Sequence, residues 1–483
     1  MLKILKQAKF LSPMYHVVTA NPPYMSGNGM NKSLKKFADN RYPNSKADLY
    51  AMFIERIFQM SMDKSIVAMI TMHSWMFLTQ SYEKLRRNLL REKTFETMLH
   101  LGGRAFSSIS GEVVQVVAFT VQNKINVNAV PVCFRLINGT SEEKEASFLN
   151  RHSRFSNIDQ RHYLKLPGSP IAYWMSPSFQ KCFENLPLLE EIATPRIGLQ
   201  TGDNEKFIRF WFEVSNDQMC KPNELTTKKE LSKWFPHNKG GENRRWYGNC
   251  DYVVDWKNNG EHIFKDKQEK LDNGLIEKKN SECWNTEYYF RESATWTRMA
   301  SGNLAVRYQP KGFIFDTASP SIFSEDNTYF HLIGLLNSKI SKVFASFLNP
   351  TLSFQSGDLK RIPTALIGDT SIKPNNIKKA IEIAKTDWDQ FEISWDFENS
   401  PLINDKLSFS KIQDSYNGLL NYHTNLFEQM KNVEEDINLT LINLYELGSE
   451  LDEVVTPEEI TINSNLQYRF KDSSKKDTQV AKE

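Results

Sequence analysis

Asn21-Pro22-Pro23-Tyr24 is the stretch of this chain whose residue types and spacing best suit chemistry. An amine conjugated to an aromatic ring is a poor nucleophile, because its lone pair is delocalised into the ring. The side-chain carbonyl of Asn21 and the backbone carbonyl of Pro22 can accept its two N–H bonds and localise that pair for attack on a methyl donor. The Tyr24 ring can stack on the flat partner and hold it. Acceptors fixed where positive charge develops favour the transition state, since they need no reorganisation. The same four residues also fit an ordinary Pro-Pro turn followed by a core tyrosine, so their setting has to decide.

That setting is a strand followed by a stiff turn. His16 to Ala20 (HVVTA) reads as a buried strand, and two prolines cannot continue its ladder. The loop therefore stands at the carboxyl end of a strand, where open α/β folds bind ligands. Leu2 to Leu11 reads as an amphipathic helix, Met25 to Asn31 as a glycine-bearing loop and Lys32 to Arg41 as a helix. Ala47 to Met60 repeats apolar residues at helical spacing, with Ser45 placed to cap it and Asp48 as a helix-start carboxylate. Ser65 to Thr71 is a strand, Tyr82 to Leu90 a basic helix, and Thr97 to Leu101 and Val113 to Val121 are further strands. Strands alternating with helices predict a parallel sheet whose closing strands can run antiparallel. A doubly wound sheet that binds a nucleotide-like cofactor needs a first strand and a glycine-rich turn ahead of this half. Only fifteen residues precede the HVVTA strand and none supplies such a turn, so the cofactor half is expected to be missing.

The bulk composition is that of a soluble globular chain: 483 residues, 40% hydrophobic and 24% charged. A formal net charge of +2 confines any nucleic-acid surface to a local patch. Cys133, Cys182, Cys220, Cys250 and Cys283 show no CxxC spacing, which argues for reduced thiols in a cytoplasm and against a zinc site. No apolar run is long enough to span a bilayer. Between Ile192 and Pro363 the chain is rich in aromatic residues, glycine and asparagine; past Pro374 the helical period returns.

The ordered blocks NPPY, ADLYAMFIER, SIVAMITMHSWMFL, LRRNLL and GGRAFSSISGEVVQVVAFTVQN resemble the carboxyl-terminal half of adenine-specific N6 DNA methyltransferases. The downstream TGDN, WYGN and NPTLSFQSGD elements resemble recognition domains of large type IIG-like enzymes, and the whole is most similar to the methyltransferases of bacteriophage-exclusion (BREX) defence systems. The resemblance implies an α/β fold: a partial Rossmann-like class I methyltransferase sheet over 1–124, a connector over 125–190, a mixed α+β target-recognition domain over 191–365, a helical region over 366–470 and a disordered tail over 471–483. It implies that Asn21 and Pro22, with Pro23 stiffening the turn, hold the adenine amino group, that Tyr24 stacks on the base, and that Phe106 supplies a second aromatic. It implies S-adenosyl-L-methionine as cofactor, with the binding half outside this chain, and as partners double-stranded DNA, the missing amino-terminal half and other phage-defence proteins.

For DNA the candidates are Arg244, Arg245, Trp246 and Tyr247, two cations and two aromatics after a glycine pair, and Lys360 and Arg361 after Gly357-Asp358. The alternative for each is a solvated loop or a buried anchor. Trp388 and Trp395 read as core anchors, and the acidic stretch from Val433 to Glu459 as lying away from DNA. Three functions stay open: a DNA adenine methyltransferase, a DNA-binding module that transfers nothing unaided, and a methyltransferase acting on protein glutamine or RNA. The long aromatic-rich stretch counts against the last.

Overall fold

Burial alternates along Ser61–Met72, an interior strand of a mixed sheet: Ser65, Val67, Met69 and Thr71 are buried, and the residues between them are not. In the computed structural model, which describes residues 2–105, 114–156, 159–276, 283–299, 304–324, 328–349, 354–365, 374–403 and 411–470, the chain forms two units. The first comprises residues 1–180 and 347–350, the second 181–346 and 351–483.

The first unit is built on six strands: β1 (Tyr15–Ala20), β2 (Ser61–Met72), β3 (Thr94–Gly102), β4 (Val116–Gln122), β5 (Val132–Arg135) and β6 (Arg154–Phe155). Their order is β1-β2-β4-β3-β5-β6. β1 runs parallel to β2, and β4 is antiparallel to both β2 and β3. α1 (Leu2–Leu11) precedes β1, and α2 (Lys32–Arg41) and α3 (Leu49–Gln59) join β1 to its parallel neighbour β2, a connection that needs a crossover; α4 (Thr79–Glu92) joins β2 to β3, and α5 (Ser141–Leu149) lies between β5 and β6. Apolar residues at helical spacing, Ile54 and Ile57 of α3 and Leu85 and Leu89 of α4, pack on Val67, Met69, Phe119 and Val121 of the sheet. Each such side chain fully buried contributes about 1.5–3 kcal/mol. On the opposite face Ile66, Ala68, Ile70, Leu99, Ala118 and Thr120 remain partly exposed.

Three expectations change here. β1 is an edge strand, paired to β2 alone among the described residues, and Val17 is 61% exposed. Apolar composition suggested burial, but burial depends on neighbours. The stretch expected as a connector instead completes the sheet with β5 and β6 and fills its core with Tyr163, Ile171 and Tyr173. Ser45 is buried and does not cap α3; Asp48 does, accepting Tyr50 N–H at 3.2 Å.

The second unit holds two four-stranded sheets. Its strands are β7 (Thr194–Arg196), β8 (Ile208–Phe210), β9 (Trp234–Asn238), β10 (Tyr252–Asp255), β11 (Ser293–Trp296), β12 (Val306–Gln309), β13 (Ile314–Phe315) and β14 (Ser321–Phe323). One sheet is ordered β13-β9-β10-β8 and the other β12-β11-β14-β7. The helices Pro374–Trp388 and Ile412–Leu444 belong to this same unit. The expected boundary between a recognition domain and a helical region at 365/366 is therefore not a boundary between units. Side chains bridge it: Trp246 Nε1 donates to Glu434 Oε1 at 2.6 Å, and the Arg244 guanidinium lies 5.0 Å from the Trp388 ring centre. Trp388 is a core residue, and Trp395 packs on Met219, Trp234 and Val253.

Candidate active site

β1 delivers the NPPY turn to the end of the sheet, where its last register pair is Ala20 with Met69. Proline at 22 and 23 leaves no N–H to extend the ladder. Val18, Ala20 and Tyr24 lean on the core, while Thr19 and Asn21 border a shallow depression over the partly exposed face of β2, β3 and β4. Asn21 is exposed, and its side chain makes no hydrogen bond among the described residues. The Pro22 carbonyl, on a buried residue, accepts none from a described backbone N–H. Two acceptors of consecutive residues are thus without a donor among the described residues, on a stiff turn.

Beyond Tyr24 the chain is tied down. Met25 N–H donates to Asp48 Oδ1 at 3.0 Å, Leu49 N–H to the Met25 carbonyl at 3.0 Å, and Gly27 N–H to the Ala47 carbonyl at 3.0 Å. The half-buried Tyr24 ring meets Tyr50 edge to face, with centres 5.9 Å apart at 85°. Tyr50 is held by a 2.7 Å hydrogen bond to Ser74 Oγ, just past β2, and by the Tyr82 ring at 6.1 Å. Burial raises the Tyr24 phenol above its ordinary range and Asp48 adds to it, so the ring stays neutral. Tyr50 is raised further, again by burial first.

A second polar cluster lies at the same ends of β2 and β3. His73 Nδ1 is 2.8 Å from His100 Nε2, and His100 Nδ1 is 3.1 Å from the Tyr173 hydroxyl. Burial pushes His73 down to about 4, and His100 lies well below its ordinary value through burial, His73, Arg135 and Lys144. Both imidazoles are neutral at pH 7 and serve as hydrogen-bonded spacers.

The cationic candidates for DNA contact turn inward. Arg244 is 2% exposed, pairs with Asp387 at 3.6 Å and donates to Asn463. Arg245 pairs with Glu434 at 3.1 Å, and Trp246 and Tyr247 are buried. Arg361 is buried against the Gly357 carbonyl and Asp358, at 2.9 and 2.6 Å. Only Lys360 keeps a partly exposed side chain at that position of the chain. A cation beside aromatics reads alike whether it meets a phosphate or anchors a helix; here it does the second. Phe106 lies outside the described residues. Nothing in the sequence marks Tyr50 or Ser74 as site residues beyond the placing of a tyrosine two residues after the helix-start carboxylate.

Against this geometry stand the known proteins. The Eco57I restriction-modification methylase family matches residues 3–106. The chain is 40% identical over 489 residues to the adenine-specific methyltransferase BrxX of Escherichia coli O9:H4 (strain HS). Over nearly its whole length it is a relative of adenine-specific methyltransferases. The alignment with BrxX takes in 99% of this chain and 38% of that protein. PglX of Lacticaseibacillus casei (strain Zhang) is 35% identical over 470 residues, 94% of this chain and 38% of that protein. The chain thus spans well under half the length of both. The solved structure of the type IIL restriction-modification enzyme MmeI in complex with DNA shares the fold, with a TM-score of 0.52 over 96% of this chain and 57% of that one at 10% identity.

S-adenosylmethionine finds no fitting set among the described residues. Among the described residues the side of β1 away from β2 carries no strand, and α1, the element ahead of it, contains no glycine that could wrap a phosphate-like or carboxylate group. Among the described residues no helix is long and apolar enough to cross a membrane.

Proposed function

We propose that this chain is the target-base and recognition portion of an S-adenosylmethionine-dependent DNA adenine N6-methyltransferase. The observation that carries the proposal is the pair of open acceptors, Asn21 Oδ1 and the Pro22 carbonyl, on a turn held at both ends beside the Tyr24 ring. An adenine flipped from the duplex, at a cost of a few kcal/mol, presents its amino group to these acceptors. Stacking on Tyr24, worth roughly 1–3 kcal/mol, offsets much of that cost. The two hydrogen bonds draw density toward the amine nitrogen and stabilise the positive charge it develops, and the proton it sheds passes to water. The free edge of β1, a row of unpaired backbone N–H and C=O groups among the described residues, supports further chain covering this unit. The methyl donor is then held by residues outside those described.

Asn21→Ala in the full-length protein should abolish methylation and leave DNA binding intact; near-normal turnover would refute the assignment. A second reading is a DNA-binding segment with no transfer of its own, for which the observation is that no glycine-bearing turn precedes β1 among the described residues. Calorimetry separates the two for the isolated chain: we expect weak or no binding of S-adenosylmethionine.

A further inference from the structure

We propose that Asp48 is a positioning residue for the NPPY turn: one carboxylate oxygen ties the turn's exit to the start of α3 and so sets the attitude of Tyr24. The proposal rests on the reading of that turn as the base site. An N-cap needs only to satisfy an N–H of its own helix, and Asp48 does this for Tyr50 at 3.2 Å. The same Oδ1 also accepts the N–H of Met25 at 3.0 Å, the residue directly after Tyr24 and 23 positions away in the chain. The carboxylate is 8% exposed, so water competes little for that bond. The backbone pairs Leu49 to Met25 and Gly27 to Ala47 flank it and form a short antiparallel bridge.

The turn is consequently fixed at two points. Its entry is fixed by the pairing of β1 with β2, ending at Ala20 and Met69. Its exit is fixed by Asp48. Between them lie Asn21, two prolines and Tyr24, a span with few free torsions. The residue two positions beyond Asp48, Tyr50, carries the ring that meets Tyr24 edge to face, and Ser74 pins that ring from the end of β2. One side chain therefore sets both the backbone after Tyr24 and the helix turn that bears its ring partner. A misplacement of about 1 Å at such a site costs on the order of a hundredfold in rate.

The test separates capping from tethering in the full-length protein. Asp48→Ser keeps a good helix cap but is too short to reach Met25 as well; Asp48→Asn keeps the oxygen that accepts both bonds. Asp48→Ser should lower kcat at least about tenfold, leave the KM for DNA and the melting temperature near wild type, and change the fluorescence of 2-aminopurine placed at the target position. Asp48→Asn should restore most of the rate. Wild-type kcat in Asp48→Ser with Asn21→Ala inactive overturns the positioning role and spares the site. Wild-type kcat in both overturns the site reading and this inference with it. A loss in Asp48→Asn equal to that in Asp48→Ser overturns the tether in favour of a charge effect.

Discussion

Arg86 offers the sharpest test of what holds the site's frame. It lies on α4, fully buried, and its guanidinium donates to four main-chain carbonyls: Trp75 at 2.8 Å, Leu78 at 2.7 Å, Gly168 at 2.6 Å and Ser169 at 3.1 Å. The first two belong to the turn after Ser74, and the others to the segment that leads into Ile171 and Tyr173 of the core. Arg86→Met keeps much of the volume and removes every donor. The Leu78 carbonyl retains the Tyr82 N–H at 3.3 Å, so three carbonyls bear the loss. At about 1–3 kcal/mol for each buried group left unpaired, the gross effect is about 6 kcal/mol. Relief from burying the guanidinium returns part of it, which leaves about 3 kcal/mol. Hydrogen exchange read by mass spectrometry is the assay. Amides of β3 and α4 should exchange about 150-fold faster, and those of β9 and β10 should keep their wild-type rates. Arg86→Lys, with a point charge in place of a fork, should recover less than half of the loss. Exchange in β3 within about fivefold of wild type for Arg86→Met would refute the claim that this side chain organises the turn.

Two further outcomes follow from buried groups. His73 sits at about 4 against an ordinary 6.5, so the folded state refuses a proton that the unfolded state accepts. Its stabilising effect is complete above pH 6.5 and fades as pH falls toward 4, by about 3 kcal/mol. Denaturation of wild type and His73→Phe at pH 7.5 and 4.5 measures this: the gap between them should shift in favour of the variant on acidification, and a constant gap would sink the argument. In the second unit, a Cβ at Gly198 would lie 2.0 Å from the Phe315 carbonyl oxygen that receives Leu199 N–H at 2.8 Å. Gly198→Ala should destabilise that unit by more than about 3 kcal/mol and expose it to limited proteolysis; a wild-type melting curve would contradict the packing.

Much of the site was legible because it is local. Four consecutive residues specify the stiff turn and its acceptors, the continuous apolar and β-prone run Ser65 to Thr71 specifies the strand beside it, and a carboxylate ahead of an apolar helical period specifies the start of α3. Short-range sterics and hydrogen bonding decide these features, so sequence shows them. Trp388 was legible as core for the same reason, being large, apolar and on a helical period. The order of the blocks carried the family resemblance, and the relatives bear it out.

What remained was settled by pairs far apart in the chain. Arg244 meets Asn463 across 219 positions and Trp246 meets Glu434 across 188, so a cluster that reads as a DNA-facing patch is an internal anchor for the helices. The exposure of β1, the recruitment of residues 132–155 into the sheet and the reach of Asp48 to Met25 have the same origin. A residue's type fixes what bonds it can make. Which surface it faces depends on loop closures that local sequence does not encode, and burial then gives those few long-range bonds their strength.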